Sequence, residues 1–261
     1  MGNQTSLIVA GLVLPLCICA CIPKPRANLG APAPDPDRLL AYLQERRDAI
    51  TKFRGIGKLS LKVNGERQTA RVAWIGSQPG DLRVETLGPW GQPNLTFLLK
   101  GATFYLHAHR ENRCLTGKAT ARSLSRFVSI PVRAEDLYVI LSGHVPVLPY
   151  HYARMWYAEG EDQWCLCLYK KWRRLVERMW MKGSKKTIDR VEIFDGWGGL
   201  QYMASFSQFQ EVGEVVIPHR VILSDEQAHV LSLNVERFWT GVEIPAEAYT
   251  LQVPCGSGGG S

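Results

Sequence analysis

Lys58-Leu59-Ser60-Leu61-Lys62-Val63-Asn64-Gly65-Glu66-Arg67-Gln68-Thr69-Ala70-Arg71-Val72-Ala73-Trp74 is the stretch that decides the fold. Leu59, Leu61 and Val63 alternate with Lys58, Ser60 and Lys62, the period of a half-buried strand. Asn64-Gly65 accepts positive φ at both central positions of a tight turn, so the chain folds back into a hairpin. Ala70, Val72 and Trp74 continue the alternation on the return strand. Outward from this hairpin the period of two persists over 81–87, 94–99 and 103–107, each run separated by Gly or Pro. It resumes over 164–169, 174–181, 187–194, 200–209, 214–223 and 229–238. The total is about eleven strands. Short turns between them leave no room for crossover helices, so the class is mainly β (α+β) with an antiparallel meander, not a doubly wound fold.

Three helical pieces interrupt the strands. Asp37 is placed to cap the first, with Leu39, Leu40, Leu43, Ile50 and Phe53 as its stripe and Arg46 and Arg47 keeping it at the surface. The others span 120–127 and 133–141, flank Ile130-Pro131 and end at Ser142-Gly143.

Residues 1–20 contain no charged side chain, and 7–19 form a nearly unbroken apolar run. That length suits the core of a secretory signal; a spanning helix needs about 20 apolar residues. The run closes on Ile18-Cys19-Ala20-Cys21, which resembles the bacterial lipobox. Small side chains admit the signal peptidase before Cys21, and the Cys21 thiol takes the diacylglycerol. Met1-Gly2 with Ser6 also fits an N-myristoylation pattern. A long apolar run directly after that pattern favours the lipoprotein signal. Ile22 after the cysteine, where an Asp would signal inner-membrane retention, favours the outer membrane. Residues 21–36 are rich in Pro and Ala, an extended tether. The organisation is thus a signal over 1–20, a lipid-anchored tether over 21–36 and one domain over 37–255. Residues 256–261, Gly-Ser-Gly-Gly-Gly-Ser, have the composition of a flexible tail.

The formal net charge is +7. Much of the excess is local, at Lys170, Lys171, Arg173 and Arg174 and on through Arg190, with Trp172, Trp180 and Met181 interleaved. This is either the solvated face of a hairpin or a basic surface for anionic headgroups. No nucleic-acid-binding pattern accompanies it. Beside the anchor, Cys114, Cys165, Cys167 and Cys255 form an even set in a disulfide-permissive compartment. Cys165 and Cys167 share a strand face, where a mutual disulfide is strained; pairing with Cys114 or Cys255 stays open. His107 and His109 alternate without a third ligand and read as surface histidines, so neither metal nor cofactor is expected. Catalytic signatures are missing as well: no Gly-x-Ser-x-Gly, His-Glu-x-x-His or phosphate loop occurs. Asp162, Glu161 and Glu135 are scattered carboxylates in polar contexts. The chain does not read as an enzyme.

Three stretches carry a resemblance to a known family. They are Arg54-Gly55-Ile56-Gly57 with Thr69-Ala70-Arg71-Val72-Ala73-Trp74; Gly88-Pro89-Trp90-Gly91; and Ile130-Pro131 followed by Asp136-Leu137, Ile140-Leu141-Ser142-Gly143 and Pro146. In order and spacing, together with Tyr249-Thr250-Leu251-Gln252-Val253-Pro254 at the end, they resemble the LolA/LolB superfamily, most closely LolB-like outer-membrane lipoproteins. The resemblance implies a strongly curved antiparallel sheet, an unclosed half-barrel plugged by short helices. It implies a periplasm-facing lipoprotein that binds the acyl chains of lipidated or amphiphilic ligands and places them in the outer membrane. Its partners would be the membrane surface and a periplasmic carrier protein. An envelope-assembly lipoprotein with the same fold and no carrier role is the other class.

Site residues follow on the same terms. Leu59, Leu61, Val72, Trp74, Leu82, Val84, Leu95 and Phe97 form consistent alternating sets that line either a cavity or a packed core. Phe127, Ile140 and Leu141 are lid residues. Pro89 and Trp90 occupy a tight turn, where side chains are normally polar. Trp90 either projects as an interfacial anchor, as the resemblance implies, or folds back to cap the barrel end.

Overall fold

The computed structural model describes residues 34–182, 187–251 and 256–257. The signal segment, Cys21, most of the tether and Cys255 lie outside the described residues. Helix α1 (Pro36–Ala49) comes first. Strands β1 (Lys52–Val63), β2 (Glu66–Ser77), β3 (Asp81–Leu87), β4 (Pro93–Lys100), β5 (Thr103–Ala108) and β6 (Arg113–Lys118) follow. Helices α2 (Ala121–Val128) and α3 (Ala134–Leu141) precede the second strand set. That set is β7 (Tyr152–Ala158), β8 (Gln163–Lys170), β9 (Arg174–Lys182), β10 (Ile188–Phe194), β11 (Leu200–Val212), β12 (Val215–Ser224) and β13 (Val230–Thr240).

These thirteen strands build one antiparallel sheet, in the order β6-β5-β4-β3-β2-β1-β13-β12-β11-β10-β9-β8-β7. It is two meanders joined where β1 pairs with β13. The sheet does not close, and register irregularities in β1, β8 and β10 bend it. The architecture is the expected unclosed half-barrel, with more strands than the eleven expected. Arg113–Lys118 and Tyr152–Ala158 are the additional antiparallel strands, and both stand near the sheet edges. Two residues of the supposed flexible tail, Gly256–Ser257 (β14), pair in parallel with Leu115 and Thr116 on β6.

The topology explains the plug. The chain leaves the sheet at β6 and re-enters at β7, the opposite side of the strand order. The connection carrying α2 and α3 therefore crosses the concave face, and Leu124, Ile130, Val132, Tyr138 and Ile140 join the main core. Thr120 caps α2, its hydroxyl accepting from the Ser123 N–H at 3.1 Å. At α1 the cap is Asp35, not Asp37: its carboxylate accepts from the Asp37 N–H at 3.0 Å, with Pro36 in the first turn. Ile50 and Phe53 are not part of the helical stripe. Helix α1 stops at Ala49, and Phe53 is fully buried on β1.

Glycines opposite aromatics tighten the first hairpin. Gly55 faces Trp74 and Gly76 faces Phe53 in register. A Cβ on Gly55 would fall 2.2 Å from the Trp74 ring, and one on Gly76 would fall 2.2 Å from the Phe53 ring. Each ring lies flat over the neighbouring strand only because no side chain stands there.

Candidate functional site

A cavity of about 410 Å³ lies between the concave face and the helices. Successive inward positions of each strand build it. Leu59 and Leu61 come from β1, Val72 and Trp74 from β2, Val84 and Thr86 from β3, Leu95 and Phe97 from β4, and Leu106 from β5. Leu223 of β12 and Leu231 and Leu233 of β13 supply the far wall. The roof is Leu124, Phe127 and Val128 of α2 with Leu137, Ile140 and Leu141 of α3. Gln68, Thr69 and Thr86 are the polar lining side chains. The volume falls within the range of ligand pockets, about 300–1,000 Å³.

Seven of the eight strand residues with open assignments face this cavity, as do all three lid residues. Leu82 does not: it is fully buried below the Trp74 level, against the packed end of the core. The Trp74 indole N–H donates to the Leu141 carbonyl at 3.0 Å, so the cavity floor is tied to the end of α3.

The lid is also fastened from the other side. Tyr202 OH donates to Asp136 Oδ2 at 2.8 Å and Arg133 Nε donates to the same oxygen at 2.8 Å, with Arg133 Nη2 on Oδ1. Gln201 Nε2 donates to the Pro131 carbonyl at 2.7 Å. The Leu148 N–H donates to Glu177 Oε2 at 2.7 Å. Glu177 is fully buried, and desolvation pushes its carboxyl well above the usual range. Burial pushes the His144 imidazole down to about 4; its Nδ1 lies 3.0 Å from Ser142 Oγ at the end of α3. Burial likewise pushes the Tyr138 phenol up to about 12. Pro131, Asp136 and Ser142 enter the sequence reading only within the stretch that carries the family resemblance, and Arg133, His144, Glu177, Gln201 and Tyr202 have no role in it. Their sign was weak: a charged residue inside an apolar helix or strand pattern, as Asp136 and Glu177 are.

The strand directions fix which turns stand together. Strands alternate within each meander and β1 runs antiparallel to β13. The turns after β1, β3, β5, β8, β10 and β12 therefore share one rim. Cavity residues Leu61, Gln68, Thr86, Leu95, Leu223 and Leu231 all sit near these strand ends, and Gln68 and Thr69 are exposed. The mouth is at this rim, and Trp74 closes the other end.

Trp90 stands on the rim, 91% exposed. Its turn is held by the Gly88 N–H on the Gln92 carbonyl at 2.8 Å and by the Trp90 N–H on Gln92 Oε1 at 3.1 Å. The side chain projects and does not fold back over the barrel end. Pro89 beside it is exposed. Lys171, Arg173 and Arg174 are exposed on another turn of the same rim, with Lys170 partly covered.

One further expectation needs correction. His107 is not a surface residue: Glu85, Thr96 and His107 lie opposite one another on β3, β4 and β5, and this convex-face ladder buries it. His109 Nε2 lies 2.8 Å from Thr96 Oγ1, and burial and the neighbouring His107 push the His109 ring below its ordinary range. Cys165 and Cys167 are buried free thiols 3.6 Å apart, covered by Trp156 and Trp180. Cys114 is disulfide-bonded, and its partner lies outside the described residues. Among the described residues no cluster of three or more metal-ligating side chains occurs, and no helix is long and apolar enough to cross a membrane.

An open antiparallel sheet, two helices across its concave face and an apolar cavity beneath them define a LolA-type half-barrel. Solved structures place the chain in that fold class. It is similar to a LolA superfamily protein from Nitrosomonas europaea, at 14% identity and TM-score 0.59, covering 85% of this chain and 99% of that one. It is equally similar to a domain named for outer membrane lipoprotein sorting from Vibrio parahaemolyticus, at 14% identity and TM-score 0.58, covering 82% and 97%. A DUF1329 family protein from Desulfovibrio piger shares the fold at 12% identity and TM-score 0.58, covering 82% and 95%. No family model matches the sequence, and no curated protein matches it.

Proposed function

We propose that the chain is a bacterial envelope lipoprotein that takes the acyl chains of a lipidated or amphiphilic ligand into its half-barrel and helps place them in the outer membrane. The observation that carries this reading is the apolar cavity of about 410 Å³ opening at the rim. Apolar walls without ion pairs suit a hydrocarbon chain, whose burial is worth about 0.8 kcal/mol per methylene. Such a site needs area and no reacting group, in keeping with a binding protein. The likeness to a lipoprotein-sorting domain and to a LolA superfamily protein supports the same class of ligand.

Cys21 would supply the lipid anchor, and the Pro/Ala tether would hold the half-barrel within reach of the bilayer while its ligand arrives, from a periplasmic carrier protein in this reading. Pro89 and Trp90 would enter the interface beside the mouth. Trp90→Glu is expected to leave folding intact and weaken association with liposomes; unchanged association removes the insertion role. Native mass spectrometry of the full chain after mild purification tests the carrier reading. A co-purifying acyl ligand supports it, whereas an empty chain supports the envelope-assembly alternative and turnover of a lipid ester points to an enzyme.

A further inference from the structure

Two more tryptophans stand as bare as Trp90, and both belong to the same rim. Trp172, between β8 and β9, is 96% exposed, and Trp197, between β10 and β11, is 98% exposed. Large aromatic side chains seldom stand wholly in water, since each leaves apolar area uncovered that the fold could hide. Trp172 is also held at an unusual backbone position. It and Arg173 have φ of 63° and 56°, two consecutive left-handed residues at a hairpin tip. Such tips are normally Asn-Gly, because a bulky side chain is disfavoured at positive φ. The turn thus keeps a bulky aromatic where folding alone favours Asn or Gly, and the fold gains no contact from it. Unfavourable local geometry of this kind points to a role outside the fold.

The two turns form one patch. β9 pairs with β10, and the Arg174 guanidinium reaches to within 3.8 Å of the position a Cβ would take on Gly196, beside Trp197. Lys170, Lys171, Arg173 and Arg174 surround Trp172, and none forms an ion pair among the described residues. The acid in the patch, Asp195, is turned to its own backbone, accepting from the Trp197 N–H at 2.8 Å and the Gly199 N–H at 2.9 Å. Trp90 lies on the other meander, so the strands that bear the cavity mouth stand between Trp90 and this patch.

We propose that Trp172 and Trp197, with the basic side chains around them, form a second foot that seats the rim on an anionic bilayer, so that the cavity mouth faces the headgroups between this foot and Trp90. Indole rings at headgroup depth and cations against anionic lipid are the two ingredients of an interfacial seat. Two feet on opposite sides of the mouth fix its orientation, which one inserted turn leaves free to swivel. The inference rests on the carrier reading for what the seat serves, and it is tested separately from that reading.

The test reconstitutes the full chain on phosphatidylglycerol-containing vesicles whose acyl chains are brominated, with phosphatidylcholine vesicles as reference. Bromine quenches tryptophans that enter the bilayer. The wild type should be quenched, more on anionic than on neutral vesicles, and Trp172→Asn with Trp197→Ser should lose most of the quenching that remains in Trp90→Ser. Replacing each cation by Gln should weaken contact with anionic vesicles roughly fivefold per charge. Trp172→Asn relieves the turn, so its melting temperature should hold or rise while bilayer contact falls; a misfolded variant would show the reverse. Equal quenching of the double variant and the wild type overturns the proposal, as does a wild type that is not quenched because the rim meets a protein. Binding of a fluorescent acyl probe without vesicles judges the carrier reading alone, and its failure leaves the quenching result standing.

Discussion

Strands β1–β5 and strands β8–β11 both turn alternating apolar side chains onto the concave face, yet the open space beneath the helices borders the first group and not the second. There Leu166, Leu168, Met179, Val191, Ile193 and Tyr202 are fully buried, and Asp136, Tyr202 and Glu177 hold the lid to the sheet. Over β1–β5 the roof is apolar and the hydrogen bond joining it to these strands is that from Trp74 to Leu141. The difference shows a division of labour within one sheet. Polar latches on the packed half fix the height of α3, and the open half inherits a space it does not have to hold apart by itself.

Truncations in the two halves should differ most. Leu168→Ala removes a fully buried side chain from the packed half and should cost about 2–5 kcal/mol. Leu61→Ala, at the mouth, should cost less than about 1 kcal/mol, because its side chain already borders open space. Denaturant titration of both variants measures the contrast, and equal costs would break the comparison.

Acid should loosen the packed half next. His144 is neutral in the fold, its ring pushed down to about 4 from an ordinary 6.5. Its contribution is therefore complete above about pH 6.5 and is lost as pH falls toward 4, by at most about 3 kcal/mol. Glu177 has the opposite sign. Its raised carboxyl favours the fold fully below its unfolded value near 4.3, and the contribution is lost as pH rises through its folded value. Glu177→Gln keeps an acceptor for the Leu148 N–H, so it should gain stability relative to the wild type as pH rises. Melting temperatures across pH, with His144→Gln and Glu177→Gln, separate the two.

A smaller effect falls on the tie between the halves. Trp74→Phe keeps most of the floor but removes the N–H that Leu141 accepts, at a cost of about 1–2 kcal/mol. Amide exchange over α3 should quicken more than exchange over β8–β11.

The sequence shows the open half better than the packed one, for physical reasons. Period-two alternation around Asn64-Gly65 reveals which residues of β1–β4 share a face, and Asn64 and Gly65 take the positive φ such a turn requires. Leu231 and Leu233 join the same cavity only because β1 pairs with β13, a contact between distant segments that local periodicity does not encode. Leu82 has the right alternation but lies beyond the floor, a depth set by Trp74 folding over Gly55. Strand β6 hides because Arg113-Cys114-Leu115-Thr116-Gly117-Lys118 offers little apolar alternation. The latch hides for a related reason. Asp136, Tyr202 and Glu177 come from three elements, and each alone looks like an ordinary polar or aromatic residue. His107 reads as exposed by type and is buried by its cross-strand neighbours.

The central claim is that the space over β1–β5 is a hydrocarbon site. Titration of the full chain with a fluorescent fatty-acid probe, wild type against Val84→Trp, tests it most directly. Val84 lines the cavity, so an indole there should fill the space without disturbing the packed half. Saturable binding by the wild type is expected, with at least about tenfold weaker binding by Val84→Trp, a loss of about 1.4 kcal/mol, and the melting temperature held. No saturable binding by the wild type, or equal affinity in both proteins, would contradict it.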